Sequence, residues 1–234
     1  MLSLRRRQRR PEIMDQADLQ PARHVGALCG LARVNFLSGS AGILWPPLRD
    51  LARRLGRPIR ILDAASGGGD VPLRLWRRAR RAGLDFRIDG CDRSPFAVEH
   101  ARIRAAAAGA DVGFFVADVL SGPALTDYDV VMCSLFLHHL GEEEAVDFLR
   151  WAAATAAHRV LVNDLERSSL GLALAHVAVR LLTASDVVHT DGPRSVESAF
   201  TMAEARALAE RAGLHGAAVQ WRWPFRYLLT WSRP

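Results

Sequence analysis

Short apolar runs alternate along this chain with longer amphipathic or Ala-rich segments. This alternation predicts parallel strands joined by helical crossovers, which is the pattern of an α/β sheet. The predicted strands cover 61–63, 86–92, 113–117, 128–133 and 158–162, and the clearest crossover helices cover 97–108 and 145–157. A helix at 202–212 and two further strands follow, the last of them at 226–231.

The first strand runs directly into a glycine-rich loop. The sequence from Ile61 to Asp70 reads Ile-Leu-Asp-Ala-Ala-Ser-Gly-Gly-Gly-Asp, and an amphipathic segment begins at Val71. Glycines allow positive φ and a close approach of a ligand to the backbone. The start of the following helix offers unpaired N–H groups to an anion. The loop is therefore a candidate ligand site, although a simple strand-to-helix turn would also use glycines.

Polar residues end the later strands as well. Asp92, Asp118 and Ser134 follow the second, third and fourth strands, and Asn163-Asp164 follows the fifth. The carboxyl ends of parallel strands meet at one edge of the sheet, where α/β proteins bind ligands. Asp92 is placed to accept ribose hydroxyls, and its alternative role is to cap the helix that opens at Ser94-Pro95.

This set of motifs resembles the class I S-adenosylmethionine-dependent methyltransferases. The dinucleotide fingerprint would need a third glycine where this chain has Pro72. The methyltransferase motif is matched instead by Asp63, Gly67 and Gly69, with Ala65 in place of the usual first glycine. The resemblance covers about residues 58–165 and implies a doubly wound, seven-stranded α/β fold that is closed by an antiparallel hairpin.

The resemblance also implies a cofactor, S-adenosyl-L-methionine, and the residues that hold it. Its methionine end would lie on the first loop, its ribose near the end of the second strand, its adenine near the end of the third, and its sulfonium near the end of the fourth. The residues expected at the methionine end are Asp63, Ala65, Ser66, Gly67 and Gly69. Those expected at the ribose are Asp92 and Arg93, those at the adenine are Asp118 and Val119, and the one at the sulfonium is Ser134.

The chain divides into an arm, a cap and a catalytic domain. Residues 1–10 are expected to form a basic, flexible arm, and 11–57 a helical cap whose second helix begins at Trp45-Pro46-Pro47. Residues 58–234 would form the methyltransferase domain, with an insertion at 166–199 that is longer than a simple connection. We expect this insertion to act as a helical lid that carries His176 and His189, the latter in a turn-rich loop over 188–195.

Charge changes this picture only slightly. The net charge is +6, but all 31 basic residues are Arg, and this bias weakens an inference from charge to nucleic acid. The one cluster, from Arg5 to Arg10, predicts a solvated arm, with transient contact to an anionic membrane surface as the alternative and nucleic acid as a less favoured target.

No signal peptide is recognisable after the Arg cluster, so a cytoplasmic location is expected. The apolar stretch 170–182 is too short to cross a bilayer. Cys29, Cys91 and Cys133 show no metal-binding spacing, which predicts reduced thiols and no metal.

The acceptor is the least constrained feature of the sequence. His138 and His139 follow the fourth strand and are candidate general bases, with an ordinary scaffold role as the alternative. The nucleic-acid branch of this class carries Asn/Asp-Pro-Pro-aromatic at this place, whereas this chain has Cys133-Ser134-Leu135-Phe136. The resemblance therefore favours O- or C-methylation of a small aromatic or lipid-like molecule. A nucleic-acid methyltransferase and a non-catalytic cofactor-binding protein remain the alternatives.

Overall fold

A computed structural model describes residue 4, residues 6–16 and residues 18–234. Its centre is a seven-stranded sheet in the order β3-β2-β1-β4-β5-β7-β6, in which β1 to β5 are parallel and β7 runs antiparallel to both of its neighbours. The strands are β1 Ile59–Ala64, β2 Phe86–Asp92, β3 Val112–Val116, β4 Tyr128–Ser134, β5 Ala156–Leu165, β6 Ala218–Arg222 and β7 Arg226–Ser232. The predicted doubly wound fold is confirmed.

Helices cover both faces of this sheet because its central strands are apolar on both sides. In β1, Ile61 packs with α2, α3 and α4, whereas Leu62 packs with α5 and α8 on the opposite face. The described helices are α1 Pro21–Leu37, α2 Ser40–Leu55, α3 Asp70–Arg81, α4 Pro95–Ala107, α5 Glu142–Thr155, α6 Ser169–Leu182, α7 Asp186–Ser198 and α8 Met202–Arg211. Two short 3₁₀ turns, Ile13–Asp15 and Leu137–His139, complete the set.

The cap differs from its prediction in where its helices begin. The second cap helix starts at Ser40, and Pro46 and Pro47 lie inside it. The break falls at Gly39, which takes the left-handed conformation with φ of 72°. Burial of Leu44, Trp45 and Leu48 holds the helix together across the prolines. No single helix of the described chain is long and apolar enough to cross a bilayer, and α1 and α2 pass that test only as a pair bent by 61°.

The insertion 166–199 consists mainly of the two helices α6 and α7. The turn-rich loop predicted over 188–195 is therefore wrong, because this segment lies within α7. Ser185 caps the helix by accepting a hydrogen bond from the Val188 nitrogen, and Val187 and Val188 are buried against Ala27 of α1. These apolar contacts outweigh the turn preferences of Gly192 and Pro193.

The basic arm packs onto the domain instead of remaining solvated. The Arg7 guanidinium lies 3.6 Å from the centre of the Phe200 ring and donates to the carbonyls of His138 and Leu140 at 2.8 Å, and to that of Ser198. The Gln8 nitrogen donates to the Glu197 carbonyl at 3.0 Å. The prediction of a flexible arm is thus wrong for this part of it, because a charged side chain has found several carbonyl partners and an aromatic face. Residues 1–3 and Arg5 lie outside the described residues.

Candidate cofactor and acceptor site

A cavity of about 1290 Å³ opens at the carboxyl ends of β1, β2 and β4, between the sheet and the helices α1 and α6. A single small ligand occupies roughly 300–1,000 Å³, so this space can hold a cofactor together with an acceptor. Most of the predicted site residues line it: Asp63, Ala65, Ser66, Gly67, Asp92, Arg93, Asp118, Val119, Ser134, His138 and His139.

The glycine-rich loop is held in shape by Asp92. One carboxylate oxygen, Oδ2, accepts a hydrogen bond from the Gly67 nitrogen at 2.8 Å, and the other accepts from the Ser94 nitrogen at 2.9 Å. The cap of α4 is Ser94 itself, whose Oγ accepts from the Ala97 nitrogen at 3.2 Å. Asp92 therefore joins the loop after β1 to the end of β2, with its carboxylate at the cavity wall.

Gly69 has a structural role. It has a φ of 70° and precedes α3, and a Cβ on it would lie 2.6 Å from the Phe114 ring. Ala65 also has a positive φ, 54°, at the position where the resembled family places glycine. The loop thus keeps the left-handed backbone that the motif requires, with one strained alanine in it.

The inner end of the cavity presents acidic groups without partners. Asp63 is 2% exposed, and among the described residues its Oδ1 has no hydrogen-bond partner. Burial, together with the charges of Asp70 and Asp92, raises its pKa well above the ordinary value. The Ser66 Oγ is likewise buried and without a partner in the described chain. A carboxylate and a hydroxyl without partners fit the ammonium group at the methionine end of S-adenosylmethionine.

The opposite end combines polar and aromatic groups. Asp118 is exposed, and its Oδ1 accepts from the Leu120 nitrogen at 3.0 Å, whereas its neighbour Val119 is buried. The His24 ring of α1 stacks on Phe96 of α4 with 4.5 Å between ring centres, and both residues line the cavity. This pair was not predicted, since the two residues are distant in sequence and no motif connects them.

His138 is fixed by a buried carboxylate. Its Nδ1 lies 2.7 Å from Asp164 Oδ1, and its backbone nitrogen donates to Asp164 Oδ2 at 3.2 Å. The side chain is only 3% exposed. These contacts hold His138 and the turn after β4 against the end of β5.

His139 is the more accessible of the two and lies between two acids from the N-terminal segment. Its Nδ1 is 3.6 Å from Asp15 Oδ2, and its Nε2 is 3.9 Å from Glu12 Oε2. Glu12 is buried and accepts a hydrogen bond from the Ser195 hydroxyl of α7 at 2.6 Å. The N-terminal segment, the turn after β4 and α7 therefore meet around this imidazole.

The acids control the charge of His139. Burial lowers its pKa, but the contact with Asp15 and the charges of Glu12 and Asp164 outweigh burial and raise the pKa to about 9. The Asp15 pKa is lowered, chiefly by the same contact. Nitrogen and oxygen atoms of Glu12, His138 and His139 lie within 4.8 Å of one another, as cation binding would require, and the Glu12 carboxylate lies 3.8 Å from His138 Nε2 and 3.9 Å from His139 Nε2.

The two histidines predicted for the insertion are not part of this cavity. His176 is exposed on α6 and is not among the lining residues. The His189 ring nitrogen Nε2 lies 2.7 Å from the Thr183 carbonyl, a contact that ties α7 to the end of α6. Sequence reasoning in turn missed Glu12 and Asp15, whose only signal was a pair of acids just after the Arg cluster.

Comparisons with known proteins agree with this arrangement. Residues 61–161 match the family model described as a methyltransferase domain. An S-adenosylmethionine-dependent methyltransferase, SibL, in its apo form has a similar structure, with 23% identity, a TM-score of 0.62 and coverage of 86% of this chain and 56% of that one. No curated protein matches this sequence.

Two further structures cover more of their own chains. A SAM-dependent methyltransferase from Aquifex aeolicus shows 16% identity and a TM-score of 0.60, with 92% of this chain and 99% of that one covered. Magnesium protoporphyrin IX methyltransferase (ChlM) from Synechocystis PCC 6803 with bound SAH shows 18% identity and a TM-score of 0.51, with 91% and 84% covered. This chain spans little more than half of the SibL chain.

The segment that matches the methyltransferase model contains the glycine-rich loop, Asp63 and Asp92. These residues lie at the ends of β1 and β2, two neighbouring strands of the sheet. The unpartnered carboxylate of Asp63 adds a group that suits this cofactor. Residues 61–161 thus match a methyltransferase domain, and the chain has the fold of S-adenosylmethionine-dependent methyltransferases.

Proposed function

We propose that this protein transfers the methyl group of S-adenosylmethionine to a hydroxyl oxygen of a small, aromatic, lipid-like acceptor, with His139 as the general base. The observation that carries the proposal is the position of His139. It lines a cavity that also contains the cofactor loop, and it is flanked by Glu12 and Asp15.

The walls on the acceptor side favour an apolar molecule. They combine apolar side chains from α1, from the segment after β4 and from α6 with few charged groups. These side chains are Leu31, Val34, Leu37, Phe136, Leu174, Ala178 and Leu182. An aromatic or alkyl group would bury this surface, whereas a nucleic acid would meet few cationic partners on it.

The chain's own residues would align the acceptor and take its proton. The cofactor supplies an electrophilic methyl group on a sulfonium sulfur. His139 in its neutral form would accept the hydroxyl proton while the acceptor oxygen forms its bond to the methyl carbon. The electrons of the broken carbon–sulfur bond would stay on the departing sulfur, and Glu12 and Asp15 would stabilise the charged imidazole. Alignment of the reacting groups in the cavity supplies much of the acceleration.

A phenolic hydroxyl suits this base. The acids raise the His139 pKa to about 9. The pKa of a phenol, as in tyrosine, is about 10, so proton transfer from a phenol to His139 is close to balanced. An aliphatic alcohol is a far weaker acid and would not give its proton to an imidazole as readily.

The test is methyl transfer from radiolabelled cofactor to an alkylated phenol, with the corresponding methyl ether as a blocked acceptor. We expect label on the phenol oxygen only, and about a 10²–10⁴-fold loss of kcat in H139Q with unchanged cofactor affinity. His176→Gln, an exposed histidine outside the cavity, is the matched control and should retain activity. Full activity of H139Q would exclude the base role. Label on a ring carbon would exclude O-methylation, and cofactor binding without any transfer would favour a non-catalytic protein.

A further inference from the structure

One side of α6 exposes a continuous apolar stripe. Leu170, Leu174, Val177 and Leu181 follow one another at helical spacing, and at 3.6 residues per turn they fall within an arc of about 60°. Leu181 is 78% exposed and Leu170 is 71% exposed. Helices of globular proteins normally turn such a stripe towards the core. Here the face that would be buried is the face that meets solvent.

Two other elements extend this apolar surface around the cavity mouth. Leu37 at the end of α1 and Trp223 in the turn between β6 and β7 line the same cavity as Leu174, and all three are exposed. The turn is held against α6, since a Cβ on Gly171 would lie 3.1 Å from the Phe225 Cβ. Phe36 and Trp221 are exposed beside their neighbours Leu37 and Trp223. The stripe, the end of α1 and this turn form what we term the mouth surface.

The two segments that carry most of the mouth surface contain Arg and no acidic residue. The α6 segment 169–182 contains one Arg and no acidic residue, and 217–226 contains two Arg and no acidic residue. Arg180 follows Val177 on α6, and Arg222 lies between Trp221 and Trp223. Neither Arg pairs with a carboxylate within the described chain. Tryptophan and arginine beside aliphatic side chains are suited to the boundary between lipid headgroups and acyl chains.

We propose that the mouth surface docks on an anionic lipid bilayer and takes the acceptor from it. The apolar stripe would enter the outer acyl region, as interfacial helices do, and Arg180 and Arg222 would reach anionic headgroups. A second copy of the chain is a poorer occupant, because it would bring like charges together and close both cavities. The acceptor part of this inference rests on the proposed function, whereas docking itself does not.

Docking is tested with the full chain and vesicles of phosphatidylcholine alone or with phosphatidylglycerol, separated by flotation. We expect binding to the anionic vesicles that decreases at high salt, at least a tenfold weaker affinity in V177E and L181E, and unchanged cofactor affinity in both. Ile103→Glu, an equally exposed apolar residue on α4, is the matched control and should bind vesicles like the wild type. Equal vesicle binding by wild type and L181E would overturn the proposal.

Two further measurements separate docking from its alternatives. Light scattering that shows a dimer converted to a monomer by L181E would assign the surface to a second copy and overturn bilayer docking. With a phenolic acceptor, L181E should lose transfer to vesicle-embedded molecules while it retains transfer to a water-soluble analogue. Vesicle binding with no transfer to either acceptor would contradict the proposed function and leave docking supported. Methyl transfer without vesicle binding would overturn docking and leave the proposed function supported.

Discussion

The carboxylate of Asp92 and the backbone nitrogen of Gly67 lie 2.8 Å apart, so the acid that ends β2 also fixes the loop that ends β1. This contact connects the two loops for which ribose and methionine binding are expected. Asp92→Ala should therefore weaken cofactor binding in two ways: it removes a contact to the ribose, and it loosens the glycine-rich loop. We expect a loss of about 1.5–3 kcal/mol in binding free energy by calorimetry. Asp118→Ala, which lacks a contact to this loop, should lose less, and equal losses would show that the loop contact is unimportant.

The buried acid Asp63 should show a trade-off between stability and binding. Its raised pKa means that its charged form destabilises the fold, and this destabilisation grows as pH rises through the folded pKa. Asp63→Asn should thus raise the Tm of the free protein at pH 7 and weaken cofactor binding at least tenfold. Asp129→Asn is the contrast: the Arg57 partner lowers the Asp129 pKa, so its charge stabilises the fold and the variant should melt lower. A lower Tm in D63N would contradict this account.

The pH profile should report His139. Because its pKa is raised to about 9 and the neutral form is the base, kcat/KM for a phenolic acceptor should rise with pH, reach half its maximum near pH 9 and level off above that. Asp15→Asn removes a contact that raises this pKa, so the rising limb should move to lower pH. Glu12, Asp164 and the Arg93 partner of Asp15 remain in place. A limb that does not move in D15N would assign the profile to another group. Activity that is lost in EDTA would instead indicate a metal at Glu12, His138 and His139.

The loop should also respond to a single methyl group. Ala65 has a φ of 54°, which costs about 1–2 kcal/mol for a residue with a Cβ. Ala65→Gly removes this strain and so stabilises the folded state. Glycine also raises the entropy of the unfolded chain, which offsets part of this gain, so we expect a net increase in stability of up to about 1 kcal/mol. Gly67→Ala, with a φ of 51° and open space for a Cβ, should lose stability by a similar amount. Thermal unfolding of both free variants checks the pair, and a lower Tm in A65G would show that the alanine is not strained.

The N-terminal segment should contribute to stability. Arg7→Met removes the carbonyl contacts and the interaction with Phe200, which should cost about 1.5–3 kcal/mol. Arg10→Met is the control, since Arg10 is exposed and donates only to the nearby Gln8. Chemical denaturation would measure both, and an unchanged midpoint in R7M would mean that the contacts carry no net stability.

The cofactor half of the site could be predicted from sequence because its residues are local. Asp63, Asp92 and Ser134 lie at the ends of strands and Gly67 lies in the loop after β1, and a parallel sheet brings strand ends together whatever follows. The acceptor half could not be predicted in this way. Glu12 and Asp15 reach His139 only because Arg7 and Ile13 bind to α7 and its surroundings. Such long-range contacts leave no periodic signal, and for the same reason the insertion histidines were misplaced.

The docked N-terminal segment has a consequence for the order of folding. Arg7 binds the carbonyl of Ser198, a residue 191 positions later in the chain, and Gln8 binds Glu197 in the same way. Arg7 and Gln8 must therefore wait until the end of α7 has been synthesised before they find these partners. The contact between Gly67 and Asp92 joins residues only 25 positions apart, so it can form much earlier in synthesis. The loop of the proposed cofactor site can therefore take shape before Glu12 and Asp15 reach His139, because their segment is held by Asp191 and Ser195 of α7.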